Sequence, residues 1–200
     1  MSSLRHTDQA DADPRLDGYL DSARACILDV GWRRTTLTEV ARRAGVSRMT
    51  IYRAWPDMGS LLGDLMTREW VGIAAATQVA AADTTTPDGI AAAALATVRA
   101  LRDNELFVRI VELDPDLMLP YLLHRRGRSQ EALVEILAAE IASGQASGAI
   151  RTGDPVLMAR SLTLAGHGFV FSALTMTDDR IRLDDLDAEY SRGVARALEP

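Results

Sequence analysis

The sequence contains no lysine, a single cysteine and few aromatic residues. All 22 basic residues are arginine. Because alanine is also abundant, we interpret this as a compositional bias, and an arginine by itself is weak evidence of a binding site. Cys26 is the only cysteine, which excludes an intrachain disulfide bond. It falls on the apolar face of a predicted helix, where core packing is its expected role.

Motifs that carry catalytic chemistry are missing as well. The three histidines, at positions 6, 124 and 167, are scattered along the chain. We find no Ser-His-Asp set, no paired carboxylates, no glycine-rich phosphate loop and no ligands at metal spacing. The sequence therefore predicts a protein that is not an enzyme and that uses no cofactor and no metal ion.

Long apolar runs are the third absence. No run approaches the roughly 18 residues that indicate a membrane span. The first residues, MSSLRHTDQADADP, are acidic and lack an apolar core, unlike a signal peptide. We expect a soluble, cytoplasmic protein that does not bind membranes.

Apolar residues recur at helical spacing along most of the chain, and no stretch of useful length alternates as a strand does. We predict an all-α protein with about nine helices, including a long one from about Tyr121 to Ser143. Residues 1–13 are polar and expected to be flexible. A small helical domain at 14–57 and a larger one at 58–200 are expected to follow.

The stretch TLTEVARRAGVSRMTIYRAW, from Thr36 to Trp55, has the pattern of two short helices joined by a tight turn. Thr36 can cap the first helix, with Glu39 completing a capping box. Gly45 ends that helix where a left-handed backbone is needed, and Ser47 can cap the second. The pattern predicts a helix-turn-helix whose outward polar side chains suit phosphates and base edges.

Positive charge is concentrated in the same region. Between Gly31 and Trp55, six arginines stand against one acid, Glu39, a balance of +5. Because the net charge is −6, the rest of the chain carries −11. A basic module on an acidic body is the arrangement expected of a protein that meets DNA with one domain only.

The segment ILDVGWRRTTLTEVARRAGVSRMTIYRAW resembles the signature of the TetR (tetracycline-repressor-like) transcriptional regulators. The shared features are a glycine that closes the first helix, a Thr-Thr pair, an apolar-Ala pair, the tetrapeptide AGVS, an apolar-Tyr pair and a final aromatic residue. They fall at Gly31, Thr35–Thr36, Val40–Ala41, Ala44–Ser47, Ile51–Tyr52 and Trp55. The resemblance implies a homodimer that binds DNA through residues 14–57 and that binds a small molecule and dimerises through residues 58–200.

The resemblance also implies that the second helix of the motif faces the major groove. Arg48, near its start, is the best candidate for a bidentate guanine contact, worth roughly 1–3 kcal/mol of discrimination. Tyr52 is expected at a phosphate. The complete set of expected DNA-contacting residues is Thr36, Thr38, Ser47, Arg48, Met49, Thr50, Tyr52 and Arg53.

One position departs from the family pattern. A lysine usually opens the helix after the motif and reaches a DNA phosphate, whereas this chain has Met58 there. Methionine cannot make a charged contact, so we expect a weaker phosphate anchor. The backbone amides after Asp57 are expected to compensate in part, because a helix N-terminus attracts anions.

The C-terminal region offers two further candidate sites. Large or adaptable side chains predict a pocket for a small, largely apolar effector, with ordinary core packing as the alternative. The expected pocket residues are Met66, Trp70, Phe107, Ile110, Leu137, His167 and Phe171. The segment from Val156 to Leu174 is apolar on both sides, which requires a second packing partner, and we expect this partner to be another subunit. The expected dimer-interface residues are Leu157, Leu164, Gly168, Phe171, Tyr190 and Val194.

The leading interpretation is a ligand-responsive repressor that binds a pseudo-palindromic operator in double-stranded DNA as a homodimer, with half-sites about 34 Å apart. An effector-independent or architectural DNA-binding protein is one alternative, and an activator of the same fold is another. A solid C-terminal core without a cavity would favour the first alternative.

Overall fold

The computed structural model describes residues 14–81 and 83–200, and over these residues it is all-α with no β-strand, as predicted. The predicted flexible tail, residues 1–13, lies outside the described residues. The helices are α1 (Pro14–Val30), α2 (Leu37–Arg43), α3 (Arg48–Ala54), α4 (Met58–Ala80), α5 (Pro87–Arg102), α6 (Glu105–Leu113), α7 (Leu119–Leu123), α8 (Arg128–Ser147), α9 (Pro155–Ser172) and α10 (Leu183–Leu198).

The described part of the chain has ten α-helices where the sequence predicted about nine, because the long helix expected from Tyr121 to Ser143 is two helices. The chain leaves α7 after Leu123 and enters α8 only at Arg128. The backbone N–H of Gly127 donates to Oε1 of Gln130 at 2.8 Å, which caps the new helix. The break falls in the segment HRRG, residues 124–127, which has no apolar side chain and ends in glycine, so the predicted helix ran past a local interruption of the apolar pattern.

The described residues divide into two compact units, with the boundary between residues 62 and 63, within α4. In the first unit, α1 packs against α2, and α2 packs against α3. Ile27, Val40 and Ile51, one from each helix, are fully buried. These three helices form the hydrophobic core of a small domain.

The predicted caps of the motif are confirmed. The Glu39 N–H donates to Oγ1 of Thr36 at 3.2 Å, and the Thr50 N–H donates to Oγ of Ser47 at 3.2 Å. Gly45 has φ +68°, a left-handed conformation that other residues rarely adopt. The capping box is only half formed, because the Glu39 carboxylate accepts hydrogen bonds from Arg42 instead.

The second unit has a hydrophobic core built mainly from α5, α8, α9 and α10. The most extensive pairings are α5 with α10 and α8 with α9. Gly166 of α9 allows a close approach, since a Cβ atom there would lie 3.1 Å from the hydroxyl of Tyr190 on α10. The absence of a side chain at Gly166 therefore lets α9 and α10 pack closely at this point.

A buried ionic cluster joins α5 to α10. The Asp187 side chain is 1% exposed. It accepts a hydrogen bond from Nε of Arg99 at 2.7 Å and two from Arg102 at 3.0 and 2.8 Å. Burial works to raise the pKa of Asp187, but these hydrogen bonds and charges outweigh it and hold the pKa below its usual value. The carboxylate is thus buried in its ionised form.

Helix α9 corrects the expectation that no apolar segment approaches the length of a membrane span. With the turn that follows, the segment Pro155–Met176 has the length and mean hydropathy (1.2) of a membrane-spanning helix, by composition alone. It nevertheless carries Arg160 and His167, and Met158 and Leu162 on its inner side are buried in the core of the second unit. It is a core helix with one uncovered apolar side.

We predict that Asp187→Asn lowers the free energy of unfolding by about 3 kcal/mol, because it leaves two arginines with only a neutral acceptor. Urea denaturation measures the change. Asp184→Asn is the matched control on the same helix: Asp184 is largely exposed and 3.6 Å from Arg99, so its loss should cost less than about 1 kcal/mol.

The pH dependence of the free energy of unfolding gives a second test of Asp187→Asn. A carboxyl group with a depressed pKa contributes stability above its unfolded pKa, near 4, and loses it as the pH falls through the lower, folded pKa. The acid-induced loss of stability should therefore be smaller in Asp187→Asn than in the wild type. Equal losses in the two proteins would contradict an ionised, stabilising Asp187.

Candidate functional site

Helix α3 presents one continuous exposed face. Arg48, Met49, Tyr52 and Arg53 are all exposed, Met49 to 63% and Tyr52 to 46%. These positions are neighbours on a helix, while Ile51 points the opposite way and is fully buried. A large exposed methionine and tyrosine between two arginines are the kind of surface that contacts groove edges and phosphates.

Ion pairs distinguish the arginines of α2 from those of α3. Arg42 pairs with Glu39 on α2, and Arg43 pairs with Asp29 on α1. Arg48 and Arg53 have no ion-pair partner among residues 14–81 and 83–200. Of the four arginines on these two helices, only the two on α3 are thus not neutralised by a neighbouring carboxylate among the described residues.

The remaining expected contacts surround this face. Thr36 and Thr38 lie at the start of α2, and both are exposed. Ser47 is exposed and Thr50 half-buried, and their hydroxyl oxygens lie 2.9 Å apart. Because Ser47 also caps α3, its hydroxyl is already engaged, and any contact it makes to DNA shares that oxygen.

At the start of α4, the backbone amides expected to bind a DNA phosphate already have a hydrogen-bond partner. Oδ1 of Asp57 accepts a hydrogen bond from the Ser60 N–H at 2.7 Å. The backbone and side-chain hydrogen bonds of Ser60 are the main causes that lower the pKa of Asp57. The amides expected to hold a phosphate in place of the missing lysine are thus occupied by a carboxylate that repels phosphate. Compensation at Met58 by this route is disfavoured.

A cavity of about 130 Å³ is lined by residues of the second unit. An apolar cavity of about 150 Å³ is known to admit a single aromatic ring. Its walls come from α4, α5, α8, α9 and other helices, and are largely apolar. Three aromatic rings form a cluster in the wall: Phe107 lies 6.1 Å from Trp70 and 5.2 Å from Phe171 between ring centroids.

Most of the expected pocket residues border this cavity. Trp70, Phe107, Leu137, His167 and Phe171 line it. Met66 and Ile110 do not, although both are buried, so their assignment to the pocket is corrected. Helical periodicity identifies buried positions but cannot tell which of them border empty space.

Polar residues of the cavity wall were missed by the sequence reasoning. Gln130 and Glu140 line the cavity from α8, with Leu133 and Leu137 between them on the same face. The Gln130 side chain approaches His167, with 3.4 Å between the two Nε2 atoms. A glutamine and a glutamate on an apolar helix stripe were the signal that could have identified them.

Burial sets the charge states in the wall. Desolvation lowers the pKa of His167, so its imidazole is neutral near pH 7, and burial raises the pKa of Tyr190 to about 12. Within the described part of the chain, no group of three or more His, Cys, Asp or Glu side chains is placed to hold a metal ion. The cavity is therefore an apolar space with a few neutral hydrogen-bonding groups and one carboxyl group.

Helix α9 turns an uncovered apolar stripe away from the core. Leu157 is 66% exposed and Leu164 is 72% exposed. Gly168, one turn further, is exposed as well, and a Cβ atom there would meet nothing within 4 Å. Residues 157, 164 and 168 follow at helical spacing and so share one face.

The other expected interface residues do not lie on this stripe. Tyr190 and Val194 are 6% and 3% exposed and belong to the core of the second unit, so they cannot present a surface to a partner. Phe171 is half-buried and contacts Phe107 beside the cavity. The apolar face of α10 is used within the subunit, which corrects its assignment to the dimer interface.

Comparisons with known proteins agree with this architecture. Residues 20–65 match the profile of a protein family described as bacterial regulatory proteins, tetR family. An HTH-type transcriptional regulator of Mycobacterium bovis is 35% identical over 166 residues, which cover 83% of this chain and 84% of that relative.

Solved structures share the fold at lower identity. The transcriptional repressor QsdR of R. erythropolis has a TM-score of 0.70 and 16% identity, with 94% of this chain and 95% of that chain covered. The complex of SmeT with triclosan has a TM-score of 0.58 and 19% identity, with 94% and 92% covered.

We predict that Met58→Lys strengthens binding to duplex DNA and increases the slope of log K against log salt by about 1 per subunit, because it adds one phosphate contact. Fluorescence anisotropy at several salt concentrations measures the slope. Met176→Lys adds the same charge at an exposed position of the second unit and should change the slope little. An unchanged affinity and slope in Met58→Lys would contradict a missing anchor at this position.

Proposed function

The chain belongs to the TetR family of transcriptional regulators, and from this premise we propose that it is a ligand-responsive repressor that binds a pseudo-palindromic operator as a homodimer. The observation that carries the proposal is the combination of the exposed basic face of α3 with a cavity lined by residues of the second unit. We place its action in the cytoplasm, where bacterial DNA is accessible.

The unpaired arginines of α3 support the DNA part of the proposal. Arg48 begins the helix and is exposed, so its guanidinium can reach the paired acceptors of a guanine. Tyr52 and Arg53, one turn later, are expected at phosphates. Thr36, Thr38, Ser47, Met49 and Thr50 complete the proposed contact surface.

The cavity supports an effector over the effector-independent alternative. Small-molecule sites are typically concave and mostly apolar, with a few polar groups that orient the ligand. A cavity of about 130 Å³ bordered by an aromatic cluster is therefore a space for a ligand. The related fold of SmeT was solved as a complex with triclosan, a small molecule.

Helix α4 can couple the two functions. It begins at Met58, directly after the motif, and further along it carries Trp70, Ala74 and Gln78, which line the cavity. A ligand that favours one arrangement of α4 shifts the population of states toward that arrangement. We propose that the bound arrangement no longer matches the spacing of successive major grooves.

The uncovered stripe of α9 supports the homodimer. Leucines exposed to this extent on one helix face mark an interaction surface rather than scattered apolar residues. A helix-turn-helix with few base contacts gains affinity when two copies bind one operator. Leu157, Leu164 and Gly168 are the proposed interface residues. Activation in place of repression depends on where the operator lies in the promoter.

The test of the proposed function is selection of bound duplexes from a random DNA pool, with and without a library of small molecules. We expect a palindromic consensus and at least one compound that reduces its recovery. The Arg48→Ala protein should lose preference at one base pair of each half-site, by roughly 1–3 kcal/mol. Arg42→Ala, which removes a paired arginine of the same unit, is the control. Recovery of no consensus would refute the proposal.

We predict that Leu164→Glu converts the dimer to a monomer at micromolar concentration, because a charge buried in an apolar interface costs several kcal/mol. Sedimentation equilibrium measures the mass. Val79→Glu introduces the same charge at a highly exposed apolar position on α4 and should leave the dimer intact. A dimeric Leu164→Glu protein would place the interface elsewhere.

A further inference from the structure

Glu140 is the one ionisable carboxyl group among the residues that line the cavity. Among the described residues no arginine lines it, and the other titratable side chains there, Tyr121, His167 and Tyr190, are not carboxyl groups. Within the described residues Glu140 has no ion-pair partner. The cavity therefore has an uncompensated acidic group in a largely apolar wall.

Glu140 is half-buried in this wall, and burial disfavours the ionised form of its carboxyl group. Burial raises the pKa of Glu140, and the hydrogen bond from the Thr84 side chain only partly opposes the effect. A carboxylate has about four lone-pair positions, so one hydroxyl donor leaves most of its capacity unused. A cation beside it would favour the ionised form and remove the cost of desolvation.

Helix capping does not explain why a glutamate is present at position 140. Glu140 lies in the interior of α8, whose N-terminus is capped by the Gly127–Gln130 bond. The nearby start of α5 is capped by Thr86, whose hydroxyl oxygen accepts a hydrogen bond from the Gly89 N–H at 3.1 Å. The carboxylate is thus not required to complete either helix.

The carboxylate and the aromatic cluster lie toward different ends of the cavity. Gln130 contacts His167, which is one helical turn from Phe171 and its contact with Phe107. Glu140 follows Gln130 on α8 by ten residues, a distance of about 15 Å along the helix axis. A ligand that reaches both regions has an aromatic or apolar body at one end and its polar group at the other.

We propose that the effector of this protein is an amphipathic amine, with an apolar or aromatic body against Trp70, Phe107 and Phe171 and a protonated nitrogen paired with Glu140. The inference rests on the proposed function, since it names the ligand class of the same cavity. A neutral apolar compound of the same size would leave the carboxylate unpaired, and a carboxylic acid would be repelled by it.

Three compounds of matched shape and different charge test the proposal: 4-phenylbutylamine, 4-phenylbutan-1-ol and 4-phenylbutanoate. Calorimetry on the full-length protein measures their affinities. We expect the amine to bind about tenfold more tightly than the alcohol, because a hydrogen bond to a charged partner is worth more than a neutral one. The acid should bind most weakly of the three.

Two substitutions on α8 separate a cation site from a structural role. Glu140→Gln should abolish the preference for the amine while leaving the affinity of the alcohol unchanged. A loss of affinity for all three compounds would instead indicate a structural role and overturn the proposal. Glu135→Gln removes an exposed carboxylate that does not line the cavity, and the amine preference should persist.

Other outcomes are equally decisive. Equal binding of amine and alcohol to the wild type, tighter binding of the acid, or no binding of any of the three would overturn the proposal. The proposed function survives such a result if the library selection finds an effector without a basic nitrogen. It fails separately if no compound of any charge changes recovery of the selected DNA.

Discussion

The buried carboxylate of Asp187 imposes the main constraint on the second unit. An ionised group that is 1% exposed is tolerated only when charged donors surround it, and both donors, Arg99 and Arg102, come from α5. Helix α10 is therefore held against α5 in one register. Because α5 and Tyr190 of α10 both line the cavity, this pairing also maintains one of its walls.

The first unit depends on local geometry more than on a large core. Its helices α2 and α3 are each seven residues long, too short to be stable alone. The left-handed Gly45 and the caps at Thr36 and Ser47 set the direction in which α3 leaves α2. That direction turns Ile51 into the core and leaves Arg48 and Tyr52 outside. Packing and the exposed basic face thus follow from the same few residues.

The sequence predicted the elements with strong local signals and failed where the answer depended on neighbours. Thr36, Gly45 and Ser47 act on residues at most a few positions away, so their roles could be read directly. Tyr190 and Val194 lie on an apolar helix face, but periodicity does not say whether such a face meets its own core or another subunit. Met66 and Ile110 were placed at the cavity for the same reason. Only the packing of the helices separates the two cases.

The charge distribution was also only partly predictable from the sequence. The excess of arginine between Gly31 and Trp55 was evident from the sequence, whereas the pairing of Arg43 with Asp29 and the occupation of the α4 amides by Asp57 required coordinates. The sequence by itself determined the helix-turn-helix and its family, because capping, turn and spacing signals are local. Tertiary structure alone decided which apolar face remains uncovered and that Glu140 borders a cavity, because both depend on helices distant in sequence.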